Sequence, residues 1–277
     1  MTLTNKIDFL GIIVAEKCNP NGDPMNGNRP RQNLYNGCGE ITPECIKRKI
    51  RNRLQDMGEN IFVQISGRTD DGFRSQKERI EAFKKSHKTK NHDELCHLVC
   101  QEWIDARSFG LIIPYKNNEG ITFGIRGPVS IGYATSIEPI NISDILITKS
   151  ENLKADENNK KDSSTIGVKH IIDKGVYVFS GGIYPDLAKK TGFTEEDAEK
   201  IKNAIITLFE NDCSNARPSG SMSLVKLYWW KHPGSCSSCP PIKLIKSVKI
   251  EPQKEWPYFK DSCSEIGNVD TKIYSFI

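Results

Sequence analysis

Apolar positions recur with two different periods at the start of the chain. Ile7 to Ala15 (IDFLGIIVA) is a short, continuous, β-branched run, the pattern of a strand buried inside a sheet. Further on, Ile46, Ile50, Leu54 and Met57 fall on one narrow stripe at about 100° per residue, which predicts a helix with those four side chains in the core. Thr42 is placed as its N-cap, Pro43 at the first helical position and Glu44 at the positive end of the dipole. Between strand and helix stand Pro20, Pro24 and Pro30 with Gly22, Gly27, Gly37 and Gly39, so neither strand nor helix is expected there before Thr42.

The rest of the pattern completes an α+β chain. A polar stretch with a turn at Gly67 to Gly72 leads into a short helix from Arg74 to Lys85 and another from Asp93 to Ile104, whose apolar face is Leu95, Leu98, Val99 and Trp103. Ile121 to Ile147 alternates apolar and polar positions and is broken at Gly127-Pro128 and Glu138-Pro139, which predicts two or three strands. Lys149 to Asp173 is too hydrophilic to bury much and reads as a mobile loop or hairpin tip. Gly175 to Tyr184 is a strand and Pro185 to Thr191 a helical turn. A second capped helix begins at Thr194, with acids at Glu195, Glu196 and Asp197, Phe193 stapled to Ala198, and Ile201, Ala204, Ile205 and Leu208 inward. Leu224 to Trp230 is the next strand. Strand, helix, strands, helix, strand is the order of a ferredoxin-like or RRM-type fold carrying large insertions, although the aromatic RNA-binding motif of that fold has no match here.

Charge changes this picture locally. The chain has 277 residues, 37% hydrophobic, enough for one large domain or one domain with insertions. Its net charge of +4 is too small for a uniformly basic surface, so any nucleic-acid site must be a patch. The first helix supplies one: Lys47, Arg48, Lys49, Arg51 and Arg53 lie within two turns, and its acids Glu44 and Asp56 stand only at its ends. On the helical wheel Lys47, Arg48 and Arg51 point away from the apolar stripe, while Lys49 and Arg53 flank it. With nothing in the helix to offset them, a polyanion is the natural partner, and removing Lys47 and Arg51 is expected to cost little stability. Arg29 and Arg31 add cations, and Gly37 and Gly39 offer backbone amides before the helix N-terminus. Thr42 stands where a dinucleotide fingerprint needs its third glycine, which excludes that site.

Nine cysteines are scattered in a chain long enough to fold without disulfide staples, which points to a reducing cytoplasm. His92, Asp93, Cys96, His97 and Cys100 have helical metal-ligand spacing, but Cys96 and Cys100 lie beside the apolar face, where cysteine serves as a small hydrophobe. Cys236 and Cys239 lack a second pair at zinc-ribbon spacing. No metal or cofactor is expected. The N-terminal segment lacks the features of a signal peptide and no stretch approaches ~20 apolar residues, so no membrane partner is expected.

Several separated segments carry a family resemblance, in order, along nearly the whole chain. They are NPNGDP and GNRPRQ in the loop, CIKRKIRN in the helix, ARSFG at Ala106 to Gly110, GIRGPVSI at Gly124 to Ile131, VKH at Val168 to His170, and TGFTEED at the second helix. With these the chain resembles the repeated backbone subunit of CRISPR Cascade surveillance complexes, subtype I-C, within the RAMP superfamily. The resemblance implies a non-enzymatic, RNA-binding subunit of antiviral defence. It would polymerise with copies of itself along the CRISPR guide RNA (crRNA), beside the large subunit and the subunit at the guide 5′ end, leaving bases free to pair with a target DNA strand. It implies an RRM-like palm at 1–58, 120–148 and 174–277, a helical finger insertion at 59–119, and a thumb or clamp, hairpin or loop, at 149–173.

The guide contacts it implies are Asn19, Asn21, Asn28, Arg29, Arg31 and Gln32 in the loop, and Lys47, Lys49, Arg51 and Arg53 on the helix. To these it adds Arg126, then Lys169 and His170, then Arg217, Ser219 and Met222 in a loop that departs from the family's glycine-rich form. One alternative stays open. Related subunits of type III complexes cut target RNA with an acid near the basic helix, and Asp23 is the only acid from Asn19 to Gly39. Against it, a lone Asp in such a turn usually caps its own backbone.

Overall fold

The first strand, β1 (Ile7–Cys18), is covered on both faces, which is why its apolar run is continuous. Phe9, Ile13 and Ala15 join one core, while Leu10, Ile12 and Val14 join another. The computed structural model describes residues 1–89, 91–113, 123–148 and 166–277. After β1 come β2 (Gly22–Asp23), β3 (Arg29–Pro30), β4 (Cys38–Ile41) and α1 (Pro43–Asp56). Then follow α2 (Gln76–His87), α3 (His92–Glu102), α4 (Ile104–Phe109), β5 (Leu111–Ile113), β6 (Phe123–Ile125), β7 (Val129–Ile131), β8 (Ala134–Pro139) and β9 (Ile142–Thr148). The remainder is β10 (Ile166–Ile183), α5 (Pro185–Thr191), α6 (Glu195–Ile206), β11 (Met222–Lys231), α7 (Pro241–Ser247), β12 (Val248–Pro252), β13 (Phe259–Cys263) and β14 (Asp270–Ser275).

The main sheet is antiparallel, in the order β14-β11-β1-β10-β8-β4. The 18-residue β10 is its spine: one end pairs with β7, the middle with β8, and the other end with β9. Since β1 pairs with β10 only from Ile7↔Ile183 to Cys18↔Ile172, the β9–β10 hairpin runs past the end of β1. Helices α1 and α6 pack Ile46, Ile50 and Leu54 with Ile201, Ala204 and Ile205 on one face, and α7 with the β12–β13 hairpin covers the other through Leu244, Val248 and Phe259. A third cluster, Phe62, Ile80, Leu95, Val99 and Trp103, gives the inserted helices their own core. That unit is tied to α6 by a two-pronged ion pair, Arg107 to Asp197 at 2.8 and 3.1 Å. Among the described residues no helix is long and apolar enough to cross a membrane.

The mixed helix-and-sheet expectation therefore holds, and both capped helices start where predicted. Thr42 Oγ1 accepts from Cys45 N, and Thr194 with Asp197 forms a full capping box. Four expectations need correction. Met57 is 38% exposed, because α1 ends at Asp56 and the next residue leaves the helical stripe. The proline- and glycine-rich stretch does form strands, since the turn closed by Asn28 N to Asp23 O folds β3 back on β2. Ile121 to Ile147 yields four strands, with an extra break at Gly132, whose amide bonds to Ser180 O across the sheet. Finally, residues 166–173 belong to β10, while 149–165 of the predicted loop lie outside the described residues.

Ile50 is fully buried between α1 and the sheet. Ile50→Ala should lower unfolding free energy by about 2–5 kcal/mol, the range for truncating a buried Ile, whereas Met57→Ala should shift it by about 0.5 kcal/mol or less. Denaturant unfolding of the two variants separates them, and equal losses would contradict this core.

Candidate nucleic-acid interface

Helix α1 meets acids that come from other parts of the chain. Lys49 is 4% exposed, ion-paired with Asp212 and 5.3 Å above the Phe209 ring. Arg51 Nε donates to Asp105 Oδ2 at 2.9 Å, and Asp105, wholly buried, also accepts the Phe62 and Val63 amides. Arg53 reaches Glu210 at 2.5 Å and Thr207 Oγ1 at 2.7 Å. This corrects the helical-wheel picture, in which nothing offsets the cations: three of the five are balanced across the fold. Lys47 and Arg48 have no ion pair among the described residues. Burial first, and then neighbouring Arg51, pulls both below their ordinary pKa. A cation destabilised by its neighbours gains from an arriving anion.

The loop from Asn19 to Gly39 is held in place by the side chains expected to bind RNA. Asn19 Nδ2 donates to Asn28 O (2.8 Å), Asn21 Oδ1 accepts from Thr42 N (2.9 Å), and Gln32 Nε2 donates to Gly37 O (2.7 Å) and Ile140 O (3.1 Å). Arg29 Nη1 lies 2.9 Å from Asp144 Oδ2, and His170 Nδ1 is 2.8 Å from Asp144 Oδ1. His170 first, and Arg29 second, hold the Asp144 carboxyl below its ordinary pKa. The two glycine amides proposed for phosphates are already used: Gly37 N donates to Asn33 O and Gly39 N to Ser136 Oγ, both at 2.8 Å. Gly39 is instead required by close approach, since a Cβ there would fall 2.4 Å from Tyr177 Oη.

A third segment, the turns between α6 and β11, closes on the other two. Arg217 Nε shares Asp212 with Lys49 at 3.3 Å, Asn19 N donates to Ala216 O, and Glu16 N donates to Ser221 O, each of these last two at 2.8 Å. The Cys18 and Cys45 thiols are pushed up by burial and drawn back down by both Lys49 and Arg217. Beside them runs a groove of about 550 Å³, lined by Phe209, Arg217, Ser219, Ser221, Trp256 and Phe276 among others. Met222 is corrected as an exposed loop contact: it is 6% exposed, inside the main core.

The structure thus gathers Asn19, Asn21, Arg31, Lys49, Arg217 and Ser219 at the end of β1. Arg29, Lys169 and His170 stand at the β9–β10 arm. Exposed Arg126 belongs with Lys47 and Arg51, because Gly110 abuts Ile125 and Gly127 while the Phe109 ring lies 5.8 Å from Lys47 Nζ and 5.0 Å from Arg51. Sequence reasoning missed Asp105, Asp212 and Asp144, none of which sits in a motif of its own.

A family model described as CRISPR-associated protein Cas7 matches residues 5–272. The chain belongs to the CRISPR-associated Cas7 family. A Cas7 protein of Haloferax volcanii is 23% identical over 234 residues, spanning 79% of this chain and 68% of the relative. A chain from a solved structure titled CRISPR RNA-guided surveillance complex, pre-nicking, is similar with TM-score 0.51 and 11% identity, over 81% of this chain and 78% of that one, so the two share a fold. In this Cas7-family chain, no group of three or more His, Cys, Asp or Glu among the described residues is arranged to hold a metal ion. Asp23 Oδ1 accepts the Met25 amide as cap of a short 3₁₀ turn and lies 3.6 Å from Arg31 Nη2.

The two helix cations once expected to be alike separate here. Removing one partner of a buried pair costs about 3–5 kcal/mol. Arg51→Ala should fall near the low end of that range, because two amides still solvate Asp105, while Lys47→Ala should cost about 0.5 kcal/mol or less. Thermal melting distinguishes them, and an unchanged Arg51→Ala melt would contradict the ion pair.

Proposed function

We propose that this chain is a non-catalytic backbone subunit that assembles in repeated copies along a CRISPR guide RNA, in the cytoplasm, with the other subunits of a type I-C Cascade complex. The observation that carries the reading is convergence. Three segments remote in sequence, the Asn19 loop, α1 and the turns before β11, meet at the end of β1, where Lys49 and Arg217 share Asp212 and where Arg31 and Arg217 stay partly exposed. Cations without a base-edge code suit phosphates and leave guide bases free to pair with invading DNA. Family membership supports the same reading.

The sheet order β11-β1-β10-β8, with α1 following β1 and α6 preceding β11, supports a ferredoxin-like palm. On that frame α2 to α4 form the finger insertion and the β9–β10 arm the thumb. Asp23 is a turn cap beside Arg31, which favours a structural role for it over RNA cleavage.

Guide affinity should fall steeply with salt and vary little with base sequence, each phosphate contact on a single strand adding about 0.7 to the slope of log K against log salt. A salt-independent or strongly sequence-selective isotherm would sink the proposal. Asp23→Ala should bind guide RNA as the parent chain does, and neither protein should cut RNA. A nuclease activity lost in that variant would establish the cleaving alternative.

A further inference from the structure

One carboxylate on the β9–β10 arm occupies two donors that come from different parts of the chain. Asp144 Oδ2 accepts from Arg29 Nη1 at 2.9 Å, and Asp144 Oδ1 lies 2.8 Å from His170 Nδ1. A carboxylate can only accept, so Nδ1 carries the proton in this contact. Asp144 and His170 stand directly opposite each other across β9 and β10, whereas Arg29 comes from the separate β2–β3 hairpin, 115 residues away. Among the described residues neither Arg29 nor His170 bonds to any other carboxylate. The two donors therefore converge on a space no wider than the two oxygens of one carboxyl group. That space opens to solvent: the side chains of Asp144, Arg29 and His170 are 48%, 34% and 16% exposed.

Two donors from different segments, aimed at two oxygens that share one negative charge, would hold a phosphodiester in the same way. As a fastening Asp144 is weak, because an exposed ion pair contributes little to stability, unlike Asp105 and Asp212, which lie deeper in the fold. As a competitor it is strong: a carboxylate tethered beside its donors has an effective concentration on the order of millimolar, which a lone dilute phosphate cannot match. A strand already held by other cations of the chain brings its next phosphate at a similar local concentration and can displace it. We infer that Asp144 is an internal stand-in for a backbone phosphate, an autoinhibitory clasp that fills the Arg29–His170 seat until RNA takes its place. This clasp presupposes the guide-RNA reading above and adds regulation to that site. With Asp144 seated, the arm is latched to the β2–β3 hairpin and an approaching phosphate meets a like charge; with Asp144 displaced, both donors pass to the strand.

The test titrates one RNA sequence against the full chain and four variants. Asp144→Asn should bind about two- to fivefold more tightly than the parent, the fold-change equivalent of releasing one exposed ion pair. Its salt slope should steepen, by at most about 0.7, because no counterion is taken up by a displaced carboxylate. Asp144→Glu keeps the anion and should bind as the parent does. Asp186→Asn removes the same charge from α5, where Asp186 is exposed and meets only Lys189 at 3.6 Å, and should also leave binding unchanged. Adding Arg29→Gln and His170→Gln to Asp144→Asn should erase the gain. One further readout needs no substitution: the His170 ring resonances of the parent chain should move when RNA is added. Unchanged or weaker binding in Asp144→Asn overturns the clasp and leaves the guide-binding reading standing. So does an equal gain in Asp144→Glu or Asp186→Asn, a gain that survives loss of both donors, or a His170 signal indifferent to bound RNA. Failure of the parent chain to bind RNA overturns both.

Discussion

Asp212 holds two cations from distant parts of the chain, Lys49 of α1 and Arg217 from the turn before β11, and the candidate site is arranged around that carboxylate. An ammonium as buried as Lys49 is tolerable only when paired, so its burial fixes where the 210–213 turn must sit. With that turn in place, Ala216 and Ser221 lie against the end of β1, where Asn19 begins the long loop. One ion pair thus sets the relative positions of helix, turn and loop. Losing it would disturb all three segments before any ligand were considered.

The same logic divides the basic helix by depth. Lys49, Arg51 and Arg53 connect α1 to Asp212, Asp105 and Glu210, acting as internal fastenings. Lys47 and Arg48 are left with their charge unbalanced by any ion pair among the described residues, and Arg31 and Arg217 have only single, loose carboxylate partners at 3.6 and 3.3 Å. A polyanion would find this second group available. Of the three cations that point outward on a helical wheel, Lys47 and Arg48 stay available to a phosphate, while Arg51 is taken by Asp105.

Local features of the fold were legible in the residues. The buried strand, the Thr42 and Thr194 caps, the α6 core face and the α+β order all follow from short-range spacing, and the structure keeps them. What was not legible depends on contacts between positions far apart. Asp212 stands 163 residues from Lys49 and Asp105 stands 54 from Arg51, so a wheel drawn on α1 alone counted as free the charges that the fold neutralises. Gly37 and Gly39 resembled phosphate-binding amides, but their N–H groups are taken by Asn33 and Ser136. Met222 read as loop because its neighbours are Gly and Ser, yet pairing with Ala15 carries it into the core.

We place guide RNA over the junction of the Asn19 loop, the start of α1 and the 214–221 turns. Amide hydrogen exchange of the full chain, with and without bound guide RNA, tests this placement most directly. Protection on binding should concentrate in residues 19–32, 42–48 and 214–221, while the α2–α3 core of Phe62, Ile80, Leu95 and Val99 exchanges as before. Protection confined to that helical unit or to the β12–β13 hairpin, with those three segments unchanged, would contradict it.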